Sequence, residues 1–236
     1  MKKTFLLLAA LVIFITTSHA QLGKIKLPTN LAPNKLSESD IADGLKQALT
    51  IGSQNASQAL NKTDGFNGNP FVRIPFPQDA EKLEKALRGV GYGPKVDAFI
   101  VSLNRAAEQA AIEAATIFAN AIKSMTLTDA EGILKGADTA ATHYLRVNTY
   151  SSLYDAFKPP ITSALDNNNV NKQWTELTTL YNKMPFTKPV QTDLIAYTNT
   201  KALQGVFTTV AGEEKKIRTD PASQTTDLLK KVFGNQ

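Results

Sequence analysis

The stretch KVDAFIVSLNRAAEQAAIEAATIFANAIKSM, residues 95–125, decides the fold class of this chain. Its apolar side chains recur every three or four residues, which is the period of one helix face. They are Val96, Ile100, Leu103, Ala107, Ala110, Ala114, Ile117 and Ala121. A helix of this length would measure about 45 Å, and a domain of about 200 residues has a similar diameter. The stretch therefore predicts a central helix that crosses the whole molecule.

The residues before this stretch predict two further helices. Ser37 is followed three residues later by Asp40, which resembles a capping box with Asp in the place of Glu. Apolar residues then recur at helical spacing, so we expect a helix over about 39–61. A shorter helix is expected over about 78–88, where the pattern resumes.

Between these two helices lies the one segment with a weak strand pattern. Apolar and polar residues alternate there until Pro75 and Pro77. Proline cannot donate a hydrogen bond to a neighbouring strand, so it confines strands to edges and ends. We therefore expect at most a minor two-stranded excursion near 66–77.

The residues after the central helix predict five more helices. They are expected over about 128–148, from Thr149 onwards, over 173–182, over 192–218, and from Asp220-Pro221 to Phe233. Thr128 with Glu131 forms a second capping-box pattern. Pro159 and Pro160 remove two backbone donors, so they should break or sharply kink the helix that begins at Thr149. The sum is an all-α, single-domain bundle of about eight helices around the long central one.

The N-terminus has the pattern of an export signal. Lys2 and Lys3 precede an apolar run from Phe5 to Ile15, and small residues at 18 and 20 fit cleavage near Ala20. The run is shorter than the roughly 20 apolar residues of a membrane-spanning helix. We therefore expect a processed chain without a transmembrane segment, in the periplasm or outside the cell.

This pattern also sets the expected domain organisation. Residues 1–20 are the predicted signal peptide, residues 21–35 an extended lead-in with two prolines, and residues 36–234 a single helical domain. The 236-residue chain has a net charge of +5, but its basic residues are spread along the helices. Binding of nucleic acid would need a clustered basic stripe, so it is not expected.

Composition excludes most metal and redox chemistry. The chain has no cysteine, and His143 is the one histidine after residue 20. Zinc and other transition-metal sites need several thiolate or imidazole ligands. We therefore expect neither a metal site nor a cofactor.

Five short motifs, in this order, carry a resemblance to a known family. They are Arg73-Ile74-Pro75 after an Asp-Gly-Phe loop, Asn104-Arg105-Ala106-Ala107-Glu108, Met125-Thr126 before Asp129-Ala130, Ala140-Ala141-Thr142 before Tyr144, and Glu213-Glu214-Lys215-Lys216-Ile217-Arg218 with Asp220-Pro221. From about Leu36 to Gly234 the chain resembles the bacterial family of exported proteins known as domain of unknown function 4197. The resemblance implies a bacterial, extracytoplasmic helical protein and no particular activity. Some members begin with a lipid-modified cysteine, which this chain lacks.

Charged residues at inward helix positions form a candidate polar centre. The helix period places Asn104 and Glu108 on a half-buried row of the central helix, and Glu214 within the apolar stripe of the helix over 192–218. A carboxylate that faces a core is unfavourable unless it is paired. The candidate residues are Arg73, Asn104, Arg105, Glu108, Glu213, Glu214 and Arg218. We expect at least one arginine to bridge the two helices, in either a functional polar site or a buried ion-pair network.

Three functions remain open at this point. The first is a non-enzymatic extracytoplasmic helical module that binds a protein, such as an envelope protein, or an apolar small molecule. The second is an envelope hydrolase that uses Glu108 and Glu214 as paired carboxylates, as glycosidases do. The third is a structural envelope protein. A cleft in which both carboxylates converge would favour the enzyme, and an apolar groove would favour the binding module.

Overall fold

The computed structural model describes residues 37–234, which form nine α-helices, two short 3₁₀ turns and no strand. The helices are α1 (Glu38–Asn61), α2 (Glu81–Gly89), α3 (Gly93–Ala110), α4 (Glu113–Lys123), α5 (Leu127–Leu134), α6 (Ala140–Asn167), α7 (Val170–Asn182), α8 (Leu194–Thr219) and α9 (Asp227–Phe233). The all-α prediction is confirmed. The predicted export signal and the lead-in over 21–35 lie outside the described residues.

Two helices, α1 and α6, make most of the helix contacts around the core. α6 packs against α3, α4 and α8, while α1 packs against α4, α5, α8 and α9. The buried side chains form one continuous hydrophobic cluster. Its largest fully buried members are Phe66, Phe99, Phe118, Phe157 and Phe207. The core therefore lies between α1, α3, α6 and α8, and not around a single long helix.

The predicted central helix over 95–125 is wrong as one continuous element. α3 ends at Ala110 and α4 begins at Glu113. At the join, the N–H of Ala114 donates to the carbonyl of Ala111 at 3.3 Å, which is the three-residue spacing of a 3₁₀ turn. The sequence has no glycine or proline there, so the break has no local signal.

The apolar stripe also moves after the break. Ile117 and Ala121, which the helix period placed inward, are half-buried, whereas Phe118 and Ile122 are buried. α4 thus presents a different face to α1 and α6 than a straight continuation of α3 would present.

The predicted helix over 128–148 is wrong as one element, because α5 ends at Leu134 and α6 begins at Ala140. The cap of α5 lies two residues before the predicted Thr128. The capping box is formed by Thr126 and Asp129, because the Asp129 N–H donates to the Thr126 hydroxyl at 3.1 Å and the Asp129 carboxylate accepts the Thr126 N–H at 3.0 Å. The pattern of Thr128 with Glu131 forms no cap in the described part of the chain. The same geometry at the start of α1, between Ser37 and Asp40, confirms the first predicted box.

α6 joins the end of the helix predicted over 128–148 to the helix predicted from Thr149. Thr149, the expected cap, lies buried in mid-helix and its hydroxyl donates to a carbonyl one turn earlier. Pro159 and Pro160 do not end the helix. They deprive the carbonyls of Asp155 and Ala156 of helical donors. Both of these residues are at least partly exposed, so water can replace the missing donors.

The last predicted helix is divided. Asp220 caps only a 3₁₀ turn over Pro221–Ser223. α9 has a cap of its own, Thr226, whose hydroxyl accepts the Leu229 N–H at 3.2 Å. The same hydroxyl donates to Gln47 of α1 at 2.8 Å, which places α9 against α1.

Candidate functional site

Asn104 holds the segment over 62–77 against α3. Its side-chain oxygen accepts the Ile74 N–H at 2.8 Å, and its side-chain nitrogen donates to the Ile74 carbonyl at 2.8 Å. The amide takes the place of a partner strand. The weak alternation in the sequence is therefore real, since Val72, Ile74 and Phe76 are buried, but the segment lies on helices and pairs with no strand in residues 37–234.

Glu108 holds the first part of the same segment. One carboxylate oxygen accepts the N–H groups of Phe66 and Asn67, both at 3.2 Å, and the other accepts a bond from Arg105 at 2.7 Å. Arg105 also donates to Asp64 at 2.8 Å. Glu108 is only 3% exposed, so these donors replace the water that its charge would need.

The charges around this loop stabilise each other. A hydrogen bond from Asn67, together with the nearby Arg105, holds the pKa of Asp64 below its ordinary value. The bond to Glu108 raises the pKa of Arg105. Asp64 and Arg105 are thus charged at neutral pH, and their ion pair helps to keep the loop on α3.

Phe66 fixes the loop from the other side. Its ring is fully buried and lies against Gly205 of α8, where an added Cβ would come within 2.5 Å of the ring. The segment is therefore a wedge between α3 and α8. Arg73 lies on its exposed side and donates to Asn67 at 3.3 Å, so it joins the Glu108 network only indirectly.

Glu214 lies in a second, separate network at the start of α6. Its carboxylate accepts the N–H of Ala141 at 3.0 Å, the N–H of Thr142 at 2.8 Å and the Thr142 hydroxyl at 2.7 Å. Within the described chain, the side chain of Thr139, the N-cap residue, makes no capping bond. Glu214 supplies the cap from α8 instead, and its charge suits the positive end of the helix dipole.

Arg218 extends this network to the end of α5. It pairs with Glu214 at 3.0 Å, and it donates to the carbonyls of Ile133 at 3.0 Å and Leu134 at 3.5 Å. A cation at a helix C-terminus is favourable, as an anion is at an N-terminus. The ion pair therefore joins two helix ends and the turn between them to α8.

The predicted bridging arginine between the two carboxylates is wrong. Arg105 stays with α3 and the 62–77 segment, and Arg218 with α8 and α5. Among the described residues, Glu108 and Glu214 share no hydrogen-bond partner. Glu213 belongs to neither network. Its carboxylate forms an ion pair with Lys216 at 2.6 Å and accepts a hydrogen bond from the Asn55 side chain at 3.5 Å. The candidate polar centre is therefore two separate networks.

An apolar cleft adjoins the Glu214 network. It lies between α1, α8 and α9. Its apolar walls include Leu45, Leu49, Val210, Ile217 and Phe233, and Glu214 and Arg218 lie at its edge. The free interior is narrow enough that about one water molecule would fill it. The cleft is thus nearly closed by α9.

Comparison with known families agrees with the resemblance of the five motifs. The model of the family described as "Protein of unknown function (DUF4197)" matches residues 35–234. The chain belongs to this family. No curated protein and no solved structure matches the chain. The described part of this family member contains no helix long and apolar enough to cross a membrane.

Four of the five motifs of this DUF4197 member meet in pairs in the structure. Arg73-Ile74-Pro75 and the 104–108 motif meet through the Asn104 amide. Ala140-Ala141-Thr142 and the 213–218 motif meet through the Glu214 carboxylate. Each pair of motifs is a contact between two parts of the fold.

His143 lies apart from both networks. It is exposed, on an open groove between α5 and α6 that Asp129 and Tyr144 also line. In residues 37–234 there is no group of three or more side chains placed to hold a metal ion.

The sequence did not point to the cleft, because its walls come from separate helices. The only signal was the pair Gly44 and Gly52 on one face of α1, where neighbouring helices approach closely.

Proposed function

We propose that this chain is a non-enzymatic binding protein that takes a small apolar molecule in the cleft beneath α9, and that it works outside the cytoplasm. The observation that carries the proposal is the apolar wall of the cleft beside a single ion pair. Ligand sites are concave, largely apolar, and have a few fixed polar groups. The free interior has room for about one water molecule, so a ligand can enter only if the cleft widens.

Entry to the cleft requires α9 to move. This helix has seven residues and ends the described chain. A helix of this length has little stability apart from its packing. It rests on α1, where a Cβ added to Gly44 would come within 2.6 Å of Val232. Displacement of α9 would free the apolar faces of α1 and α8 for a ligand.

The geometry does not support a hydrolase that uses paired carboxylates. A catalytic carboxylate must exchange a proton with substrate or water. Glu108 and Glu214 are 3% and 6% exposed, and their oxygens already accept backbone and arginine hydrogen bonds. Release from these bonds would undo the loop over 62–77 or the cap of α6.

The test is titration with N-phenyl-1-naphthylamine, a neutral apolar fluorophore. We expect one saturable site. Ala48→Phe would fill the cleft from α1 and abolish binding, whereas Ala98→Phe, on the exposed side of α3, would leave binding intact. Equal binding by both variants would refute the proposal.

A second pair of variants tests the same site without adding volume to the core, as Ala48→Phe does. Phe233→Leu enlarges the cleft, so the fluorophore should bind several-fold more tightly. Phe157→Leu makes a similar change in another part of the core and should leave the affinity unchanged. Equal effects of the two would mean that the fluorophore reports general loosening of the core.

A further inference from the structure

We propose that the loop over 183–190, between α7 and α8, docks the protein on a bilayer surface rich in anionic lipid, with Phe186 inserted at the interface and Lys183 and Lys188 on the headgroup phosphates. This inference is independent of the ligand cleft. It rests on the exposure, backbone conformation and charge of this loop.

Phe186 is the most exposed large apolar side chain of the described residues, at 104% of its reference area. Within residues 37–234, the other phenylalanines are buried except Phe71, at 86%. Met184 and Val190, on either side of Phe186, are half-buried and pack against the core. The loop thus keeps its smaller apolar side chains on the protein and presents the aromatic ring to its surroundings.

The backbone fixes this presentation. Phe186 has φ +65°, in the left-handed region that bulky L residues rarely adopt. The Thr187 hydroxyl donates to the Met184 carbonyl at 3.1 Å across the turn, and Pro185 and Pro189 restrict the chain on both sides. Strained conformations of this kind occur preferentially at functional sites.

The charge of the loop suits an anionic surface. Lys183 and Lys188 are exposed, and the sequence has no Asp or Glu from 177 to 192. The carboxylates on either side of that interval are engaged, since Glu176 pairs with Lys95 and Asp193 caps α8. Aromatic rings favour the bilayer interface, and lysines near it are attracted to anionic headgroups. One ring and two lysines predict weak, reversible and salt-sensitive binding.

The test is co-sedimentation with vesicles of phosphatidylcholine mixed with phosphatidylglycerol, and with vesicles of phosphatidylcholine alone. We expect binding to the mixed vesicles only. Phe186→Ser should lower the partition coefficient about tenfold or more. Lys183→Gln and Lys188→Gln should each lower it about fivefold. These side chains are exposed, so the variants should fold like the parent protein.

Phe71→Ser is the matched control, because Phe71 is also exposed but lies on the 62–77 segment. It should bind like the parent protein. Any contribution of residues 1–36 is common to both phenylalanine variants and cancels in the comparison. Equal losses in both, or no binding to mixed vesicles, would overturn the proposal. Capture of a soluble acidic protein through Phe186 with no vesicle binding would also overturn it.

A labelling experiment gives a second readout. The chain has no cysteine, so Phe186→Cys and Phe71→Cys can each carry one environment-sensitive fluorophore. The label at 186 should shift to shorter wavelength on mixed vesicles, and the label at 71 should not. A label at 186 that stays in water while the protein sediments would exclude insertion.

Discussion

The side chain of Asn104 and the backbone of Ile74 exchange two hydrogen bonds, each 2.8 Å long. The contact is buried and links α3 to a segment that has no regular secondary structure at this point. A helix side chain thus satisfies a backbone that would otherwise need a neighbouring strand.

Replacement of Asn104 should therefore loosen this segment specifically. Asn104→Ala leaves the buried N–H and C=O of Ile74 without partners, and we expect a loss of about 2–3 kcal/mol in the free energy of unfolding. Gln109→Ala, on the exposed side of α3, should change it by less than about 0.5 kcal/mol. Chemical denaturation measures both. Hydrogen exchange should also show faster opening of the Ile74 amide in Asn104→Ala, and unchanged exchange there would contradict the assignment.

Glu214→Gln tests whether the second network is structural. The change leaves Arg218 buried beside a neutral group and weakens the cap of α6, so we expect a loss of about 3 kcal/mol in unfolding free energy. Glu213→Gln is the neighbouring control, and its partner Lys216 is exposed, so its effect should be under about 1 kcal/mol. A neutral or stabilising effect of Glu214→Gln would instead indicate a functional site. Such sites often hold charged groups in unfavourable arrangements, and removal of the charge then relieves the repulsion or desolvation.

Two glycines of α8 should respond in opposite directions to the same substitution. Gly205→Ala drives a Cβ to 2.5 Å from Phe66, and overpacking of this kind destabilises by about 1–3 kcal/mol. In residues 37–234, a Cβ on Gly212 would meet no atom within 4 Å. Gly212→Ala should therefore stabilise the protein by about 0.5–1 kcal/mol through helix propensity. Thermal unfolding of the two variants distinguishes them, and a stable Gly205→Ala would mean that Phe66 can move from its position.

The cap of α5 should make stability sensitive to acid. Hydrogen bonds from the Thr126 N–H and hydroxyl lower the pKa of Asp129, with a smaller effect of Tyr144. Because the folded pKa lies below the unfolded value of about 4, this contribution is present above pH 4 and is lost as the pH falls through the folded pKa. Asp129→Asn should therefore show a shallower fall in unfolding free energy below about pH 4 than the parent protein does. Asp138→Asn, in the exposed turn after α5, is the control, and an equal change in both variants would argue against the cap.

Helix periodicity was sufficient to predict the all-α fold and the inward position of Glu214. It placed Glu108 on a half-buried row, whereas the structure buries this side chain to 3% exposure. Periodicity could not predict what binds these carboxylates, because their partners are largely backbone N–H groups of Phe66, Asn67 and Ala141. Every residue except proline carries such a group, so no sequence pattern marks it.

The breaks between helices were also beyond the sequence. Pro159 and Pro160 are tolerated because the two residues that lose a helical donor are at least partly exposed. The turn after Ala110, in contrast, interrupts a run of good helix formers. In both places tertiary packing overrides local preference. The exposure of Phe186 could not be predicted either, since composition does not distinguish an exposed aromatic side chain from a buried one.

The cap of α6 by Glu214 has a consequence for the order in which the chain folds. The residue that completes the start of this helix follows it by 73 positions in the sequence. A chain that is still being synthesised can form the turns of α6, but it cannot cap them until most of α8 has emerged. α6 and α8 must therefore acquire their final stability together, late in synthesis, and not one after the other.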